Sequence, residues 1–197
     1  MIVGLSGYAR SGKDTAAAGM DMWGFKRVAF ADKLREFLYV LNPVIKPRYE
    51  RAFAALVPEN WRVQQVIDKY GWDGYKATPY GPEIRELLQR LGTECGRQLL
   101  YDHVWIDAAL GNVGIVAPDP HYKSTVVTDV RFPNEATAIK TRGGIVIRIT
   151  REGVGPANDH PSETALDEWP FDVVIDNNGT IDELVTRVVN AALFHVL

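Results

Sequence analysis

Gly7-Tyr8-Ala9-Arg10-Ser11-Gly12-Lys13-Asp14-Thr15 lies between a short apolar run, Met1-Ile2-Val3-Gly4-Leu5, and an alanine-rich segment. Strand, glycine loop and helix in that order make a phosphate-binding loop. Two glycines five apart let the backbone curl so that successive N–H groups face phosphate oxygens. The following helix adds its positive end, and Lys13 reaches the outer phosphates. Gly7, Ala9, Arg10, Ser11, Gly12, Lys13, Asp14 and Thr15 are therefore the expected contacts of a nucleoside triphosphate. The plain alternative is an ordinary glycine-rich turn; the position between strand and helix argues against it.

The usual pattern has Ser or Thr directly after the lysine, where the hydroxyl ligates magnesium. Here Asp14 follows the lysine and the hydroxyl comes one residue later, at Thr15. A carboxylate there either binds the metal, directly or through water, or repels the triphosphate when no metal is present. Asp14 and Thr15 are thus the expected magnesium ligands, and a strict magnesium requirement follows.

The 197 residues are 46% hydrophobic, enough for one domain with a sizeable core. A net charge of −3, from 22 basic and 25 acidic residues, gives no global reason to bind a nucleic acid polymer. Cys95 is the only cysteine, so no intramolecular disulfide forms. No secretory signal or membrane-length apolar run is read, and a cytoplasmic setting is expected.

Further along, Arg27-Val28-Ala29-Phe30 reads as a second strand, and Ala31–Leu38 has helical apolar spacing. Prolines and aromatics alternate from Asn42 to Gly81, which predicts short helices and loops. A helix from Pro82 is expected to bury Ile84, Leu87, Leu88, Leu91, Cys95 and Leu99. Arg85, Gln89, Thr93 and Arg97 recur every four residues on its other face. A solvated face is one reading of that stripe. Gly92 and Gly96 cost helix propensity, so they point to a close approach by another backbone or a ligand.

Ser124–Asp129 is a β-branched run ending in a carboxylate, at the sheet edge where ligands bind in open parallel folds. Asp129 is the expected acidic group beside the loop, with a helix-capping role as its alternative. Ile145–Ile149 and Phe171–Ile175 read as the fourth and fifth strands. Thr180 and Glu183 form a capping box opening a last helix that buries Ile181, Leu184, Val185, Val188, Val189 and Ala192. Phosphoryl transfer needs cations around the transferred group, and Lys13, Arg85, Arg97, Arg131 and Arg151 are the candidates. The polar segment from Arg151 to His160 reads as a closing lid. His160-Pro161-Ser162-Glu163 either begins a helix or holds substrate. Asn178 and Gly179, in the loop after the fifth strand, are candidates for covering an adenine ring; an ordinary tight turn is the other reading.

Five segments together resemble the phage-type deoxynucleoside monophosphate kinases. They are the loop with its Gly-Lys-Asp-Thr ending, Phe30-Ala31-Asp32-Lys33-Leu34, Arg85-Glu86-Leu87-Leu88-Gln89-Arg90-Leu91-Gly92-Thr93-Glu94, Asp129-Val130-Arg131-Phe132-Pro133-Asn134-Glu135, and His160-Pro161-Ser162-Glu163. The resemblance implies a three-layer α/β/α phosphate-loop kinase fold: a mainly parallel five-stranded sheet, a helical acceptor-binding insertion at about residues 32–112 and a lid at about 150–165. It implies ATP as donor with Mg2+ and a deoxynucleoside monophosphate as acceptor; a homodimer is compatible with the sequence, which does not itself fix the oligomeric state. It further implies Lys13, Asp129, Arg131 and Arg151 at the reaction centre, with Asp32, Lys33, Arg85, Gln89, Arg97, Glu135, His160 and Glu163 on the acceptor side. A phage-encoded enzyme of this kind would work in the host cytoplasm. The rival readings are a dephospho-coenzyme A kinase or other small-molecule kinase on the same scaffold, and a non-catalytic ATP sensor.

Overall fold

β1 (Ile2–Ser6) is buried at all five positions, as a strand covered on both faces must be. Its side chains alternate between two cores. Val3 and Leu5 face a cluster with Ala16, Ala17, Met20, Leu184, Val188 and Val189. Ile2 faces another, with Val127, Val130, Ala136, Ile139 and Val146. The first cluster is covered by α1 (Lys13–Met20) and α7 (Ile181–Phe194), the second by α5 (Val104–Leu110) and α6 (Pro133–Thr141). Each fully buried aliphatic side chain adds about 1.5–3 kcal/mol.

The structure is a computed structural model and describes residues 1–47, 60–111, 124–157 and 161–194. β2 (Phe25–Val28), β5 (Ser124–Val127), β6 (Ile145–Thr150) and β7 (Val173–Asp176) complete a five-stranded sheet in the order β2-β5-β1-β6-β7. All neighbours are parallel, with Val3 opposite both Val126 and Ile145. This is the expected α/β/α architecture. The glycine loop leaves the central strand, and Asp129 follows the adjacent one.

The chain divides into two compact units: Met1–Phe30 with Ile106–Leu197, and Ala31–Trp105. In the second, α2 (Phe30–Leu41), a two-stranded antiparallel pair of β3 (Val44–Ile45) and β4 (Trp61–Arg62), α3 (Val63–Gly74) and α4 (Gly81–Arg90) enclose a core of Leu38, Ile45, Val63, Val66, Ile67, Tyr75, Tyr80 and Ile84. No helix among the described residues is long and apolar enough to cross a membrane.

Several expectations are corrected. The second strand starts and ends two residues early because Phe30 opens α2, its N–H donated to Asp129 Oδ1 (2.8 Å). The helix from Pro82 does not keep its period: after Arg90 it widens into a π-helix, Leu91–Leu100. The wider turn rotates the seam, so Cys95 and Leu99 are exposed and Gly92 and Gly96 are buried. The close approach foreseen for those glycines comes from side chains. A Cβ on Gly96 would lie 2.5 Å from the Trp105 ring nitrogen, whose N–H donates to Gly92 O (2.8 Å). In α7 the capping box forms, Thr180 N–H to Glu183 Oε2 at 2.8 Å and Glu183 N–H to Thr180 Oγ1 at 3.2 Å. Ile181 nevertheless stays exposed.

Candidate active site

The loop after β1 is shaped by two glycines that admit no substitute. Gly7 has φ 143°, and a Cβ there would sit 2.3 Å from Ile149 O. Gly12 has φ 108°, and its Cβ would meet Asn177 Nδ2 at 2.4 Å. Arg10 also takes a positive φ, 69°. Gly12 ends the loop as the N-cap of α1 without offering a side-chain cap. The first helical bond is Ala16 N–H to Gly12 O (2.9 Å), so the amides of Lys13, Asp14 and Thr15 precede it and are available to an anion. Ser11 is 1% exposed, and its Oγ is buried with no hydrogen-bond partner among the described residues. A buried hydroxyl left so costs about 1–3 kcal/mol, which an entering phosphate oxygen relieves.

Lys13 is folded back onto this loop. Its Nζ donates to Gly7 O (2.6 Å) and Tyr8 O (2.7 Å). It is half-buried, not fully exposed to ligand as the motif alone suggests. Burial lowers its pKa to about 8; Arg131 and, more weakly, Arg148 push the same way, against Asp14 and Glu163. Asp14, Thr15, Ala9 and Arg10 are exposed.

Arg131 and Glu163 meet beside the lysine. Arg131 Nη1 lies 2.8 Å from Glu163 Oε1, the carboxylate only 10% exposed. Glu163 Oε2 also accepts the N–H of Ala157, in the segment expected to form the lid (3.5 Å). Gly7, Arg131, Arg148 and Glu163 line one small cavity with Ser6 and Leu166.

Other candidates have different roles. Glu135 is 2% exposed, and its Oε2 accepts the N–H groups of Arg131 (2.7 Å) and Phe132 (3.1 Å). It therefore caps the start of α6. Asp129 bonds the first amide of α2, the capping role named as its alternative. Arg151 is exposed. Asn178 Oδ1 accepts Glu152 N–H (2.9 Å). Gly179, but not Asn178, lines a cavity of about 500 Å3 with Asn177, Thr180 and Arg187. His160 lies outside the described residues.

Within the second unit, Arg85 and Gln89 are exposed, and Arg97 is half-buried. Lys33 pairs with Glu36 (2.7 Å) and Asp32 with Arg35 (3.4 Å). Asp32, Arg35, Glu36, Tyr39 and Trp72 border an open depression of about 330 Å3. Arg35 lies over the Trp72 ring at 5.9 Å.

Sequence reasoning missed two residues. Asn177 Nδ2 donates to Ser11 O (2.8 Å), tying the loop after β7 to the phosphate loop. Arg148 is 9% exposed inside β6, next to Ser6 across the register. Its only sequence signal is a lone cation in an otherwise uncharged strand.

The profile of the deoxynucleotide monophosphate kinase family matches residues 79–188. The chain belongs to this family. A protein of Acanthamoeba polyphaga mimivirus, whose assignment as a deoxynucleotide monophosphate kinase is itself inferred, is 31% identical over 96% of this chain and 95% of its own length. The deoxynucleoside-5′-monophosphate kinase of Escherichia phage T5 is 32% identical over 68% of this chain, which spans 50% of that enzyme. The deoxynucleotide monophosphate kinase of Escherichia phage RB69 is 32% identical over 53% of this chain and 43% of its own length. The deoxynucleotide monophosphate kinase profile covers Arg131 and Glu163 but begins after the phosphate loop, so the loop's reading rests on its geometry.

Proposed function

We propose that this chain transfers the γ-phosphoryl group of ATP to the 5′-phosphate of a deoxynucleoside monophosphate, giving ADP and the deoxynucleoside diphosphate. The observation that carries this reading, beside membership of the family, is the loop's unfilled capacity for an anion. Three amides ahead of the first helical bond and the orphan Ser11 hydroxyl surround a lysine held in reserve by the Gly7 and Tyr8 carbonyls. Lys13 leaves those carbonyls for the β- and γ-phosphates. Arg131 exchanges Glu163 for the oxygens of the transferred group, where a planar fork gives two parallel bonds. The acceptor phosphate is itself the nucleophile and is largely ionised near neutral pH, so no protein base is assigned.

Asp14 and Thr15, exposed on the first turn of α1, offer the hard oxygen donors that suit magnesium, so the residues present fit the ion. Bound there with the donor, it neutralises phosphate charge. Asp129 acts at the reaction centre by fixing the start of α2. Arg151 reaches the donor when the lid closes, and Gly179 and Asn178 border the adenine. Asp32, Lys33, Arg85, Gln89 and Arg97 bind the acceptor, and the residues around 32–112 serve as its insertion. Free nucleotides as substrates suit a cytoplasmic enzyme, that of the host if phage-encoded.

A coupled assay with Mg-ATP and a panel of deoxynucleoside monophosphates, dephospho-coenzyme A and no acceptor tests the reading. ADP release only with a deoxynucleotide supports it. Release only with dephospho-coenzyme A, or ATP binding with no turnover on any acceptor, refutes it.

A further inference from the structure

Every other side chain of β6 up to Ile149 is apolar and at most 4% exposed, which makes Arg148 an expense the strand does not require. A guanidinium in such a place persists only when its partners are fixed, and these are. Nη2 lies 2.8 Å from Asp167 Oδ1, and Nη1 is 3.4 Å from Ser6 Oγ. The guanidinium carbon sits 4.7 Å from the Tyr8 ring centroid and 5.4 Å from that of Phe171. Asp167 is forked: its Oδ2 accepts the Tyr8 hydroxyl at 2.8 Å. Tyr8 is the second residue of the phosphate loop. Its carbonyl accepts both the Lys13 ammonium (2.7 Å) and the Ser11 N–H (3.2 Å).

A continuous chain of contacts thus runs from a buried strand cation, through one carboxylate, to the residue that holds the loop's lysine and shapes its turn. We propose that Arg148 is a positioning residue for the donor phosphates: with Asp167 it fixes Tyr8, and through Tyr8 the loop conformation and the resting place of Lys13. This deepens the kinase reading and rests on it. The role is positional because, although the guanidinium borders the small cavity beside Arg131, its hydrogen bonds go to Asp167 and Ser6 and its faces to two rings. Flexible ordering of a loop is paid out of binding energy, so a loop fixed in advance binds its ligand more tightly.

The test uses Arg148→Lys, which keeps the charge but loses the fork, and Tyr8→Phe, which keeps the ring and removes the hydroxyl. Calorimetry with Mg-ATP is the readout, and it needs no acceptor. Each single variant is expected to weaken ATP binding at least fivefold. The double variant is expected to lose little more, because both act within one Arg148–Asp167–Tyr8 cluster. In steady state KM for ATP rises, while KM for the deoxynucleotide at saturating ATP stays within twofold. Losses that multiply in the double variant overturn the proposal, as does unchanged ATP affinity in Tyr8→Phe or an equal rise in both KM values. If Arg148→Lys does not fold, Tyr8→Phe and Asp167→Asn decide by the same criterion. A wild-type protein that binds Mg-ATP but phosphorylates no deoxynucleotide refutes the kinase reading and leaves the calorimetric test in force.

Discussion

Replacing Lys13 by Met should stabilise the ligand-free protein while removing its activity. The Lys13 pKa falls from 10.5 to about 8 in the folded state, chiefly through burial. At about 1.36 kcal/mol per pH unit, the charged lysine costs the fold at most about 3 kcal/mol at pH 7. Methionine keeps the apolar stem and removes the charge. Against this, Gly7 O loses its bond from the charged ammonium, at about 1.5 kcal/mol, while Tyr8 O retains Ser11 N–H. The net gain is about 1–2 kcal/mol, or roughly 2–8 °C in melting temperature for a chain of this size. The pH dependence has a fixed sign. The unfolded lysine binds a proton up to about 10.5 and the folded one only to about 8, so between these values wild-type stability rises relative to the variant. The gap is therefore full at pH 7, and by about pH 10.5 only the lost Gly7 O bond remains, which leaves the variant slightly the less stable. Denaturant melts of both proteins at pH 7 and pH 10, without nucleotide, measure it. A variant less stable than wild type at pH 7, or a gap independent of pH, refutes the reasoning.

Glu163→Gln removes the carboxylate paired with Arg131 and should tighten Mg-ATP binding severalfold by calorimetry; weaker binding would show that Glu163 does not compete with phosphate. Arg131→Ala should lower kcat by about a hundredfold with the ATP dissociation constant changed less than threefold, since the guanidinium acts on charge developed during transfer. An unchanged kcat removes it from the site. Gly12→Ala meets both a positive φ and Asn177 at 2.4 Å, so it should cost about 2 kcal/mol or more in denaturant melts and abolish ATP binding; an unperturbed protein would refute the loop geometry.

The fold from β1 through the glycine loop into α1 was legible because its signals are local. Strand, loop and helix follow within twenty residues, and β-branched runs bounded by turns marked β1, β5 and β6. What escaped was non-local or broke an assumed period. β6 is covered on both faces, so Arg148 interrupts no alternation, and its partner Asp167 lies nineteen residues away. Cys95 and Leu99 were misplaced because a 3.6-residue period was carried through a segment that widens to a π-helix. β3 and β4 have two residues each, too few to show any period. Glu135 could have been recognised: it stands three residues after Phe132, with Pro133 between them, at the spacing of a carboxylate that turns back to cap its own helix.

The most direct measurement follows the phosphoryl group itself. With γ-labelled Mg-ATP and a deoxynucleoside monophosphate, label should appear at the β-position of the deoxynucleoside diphosphate in amounts equal to the ADP formed, and Lys13→Met should abolish it. Label released as inorganic phosphate, or retained in ATP with every deoxynucleotide offered, would contradict the account.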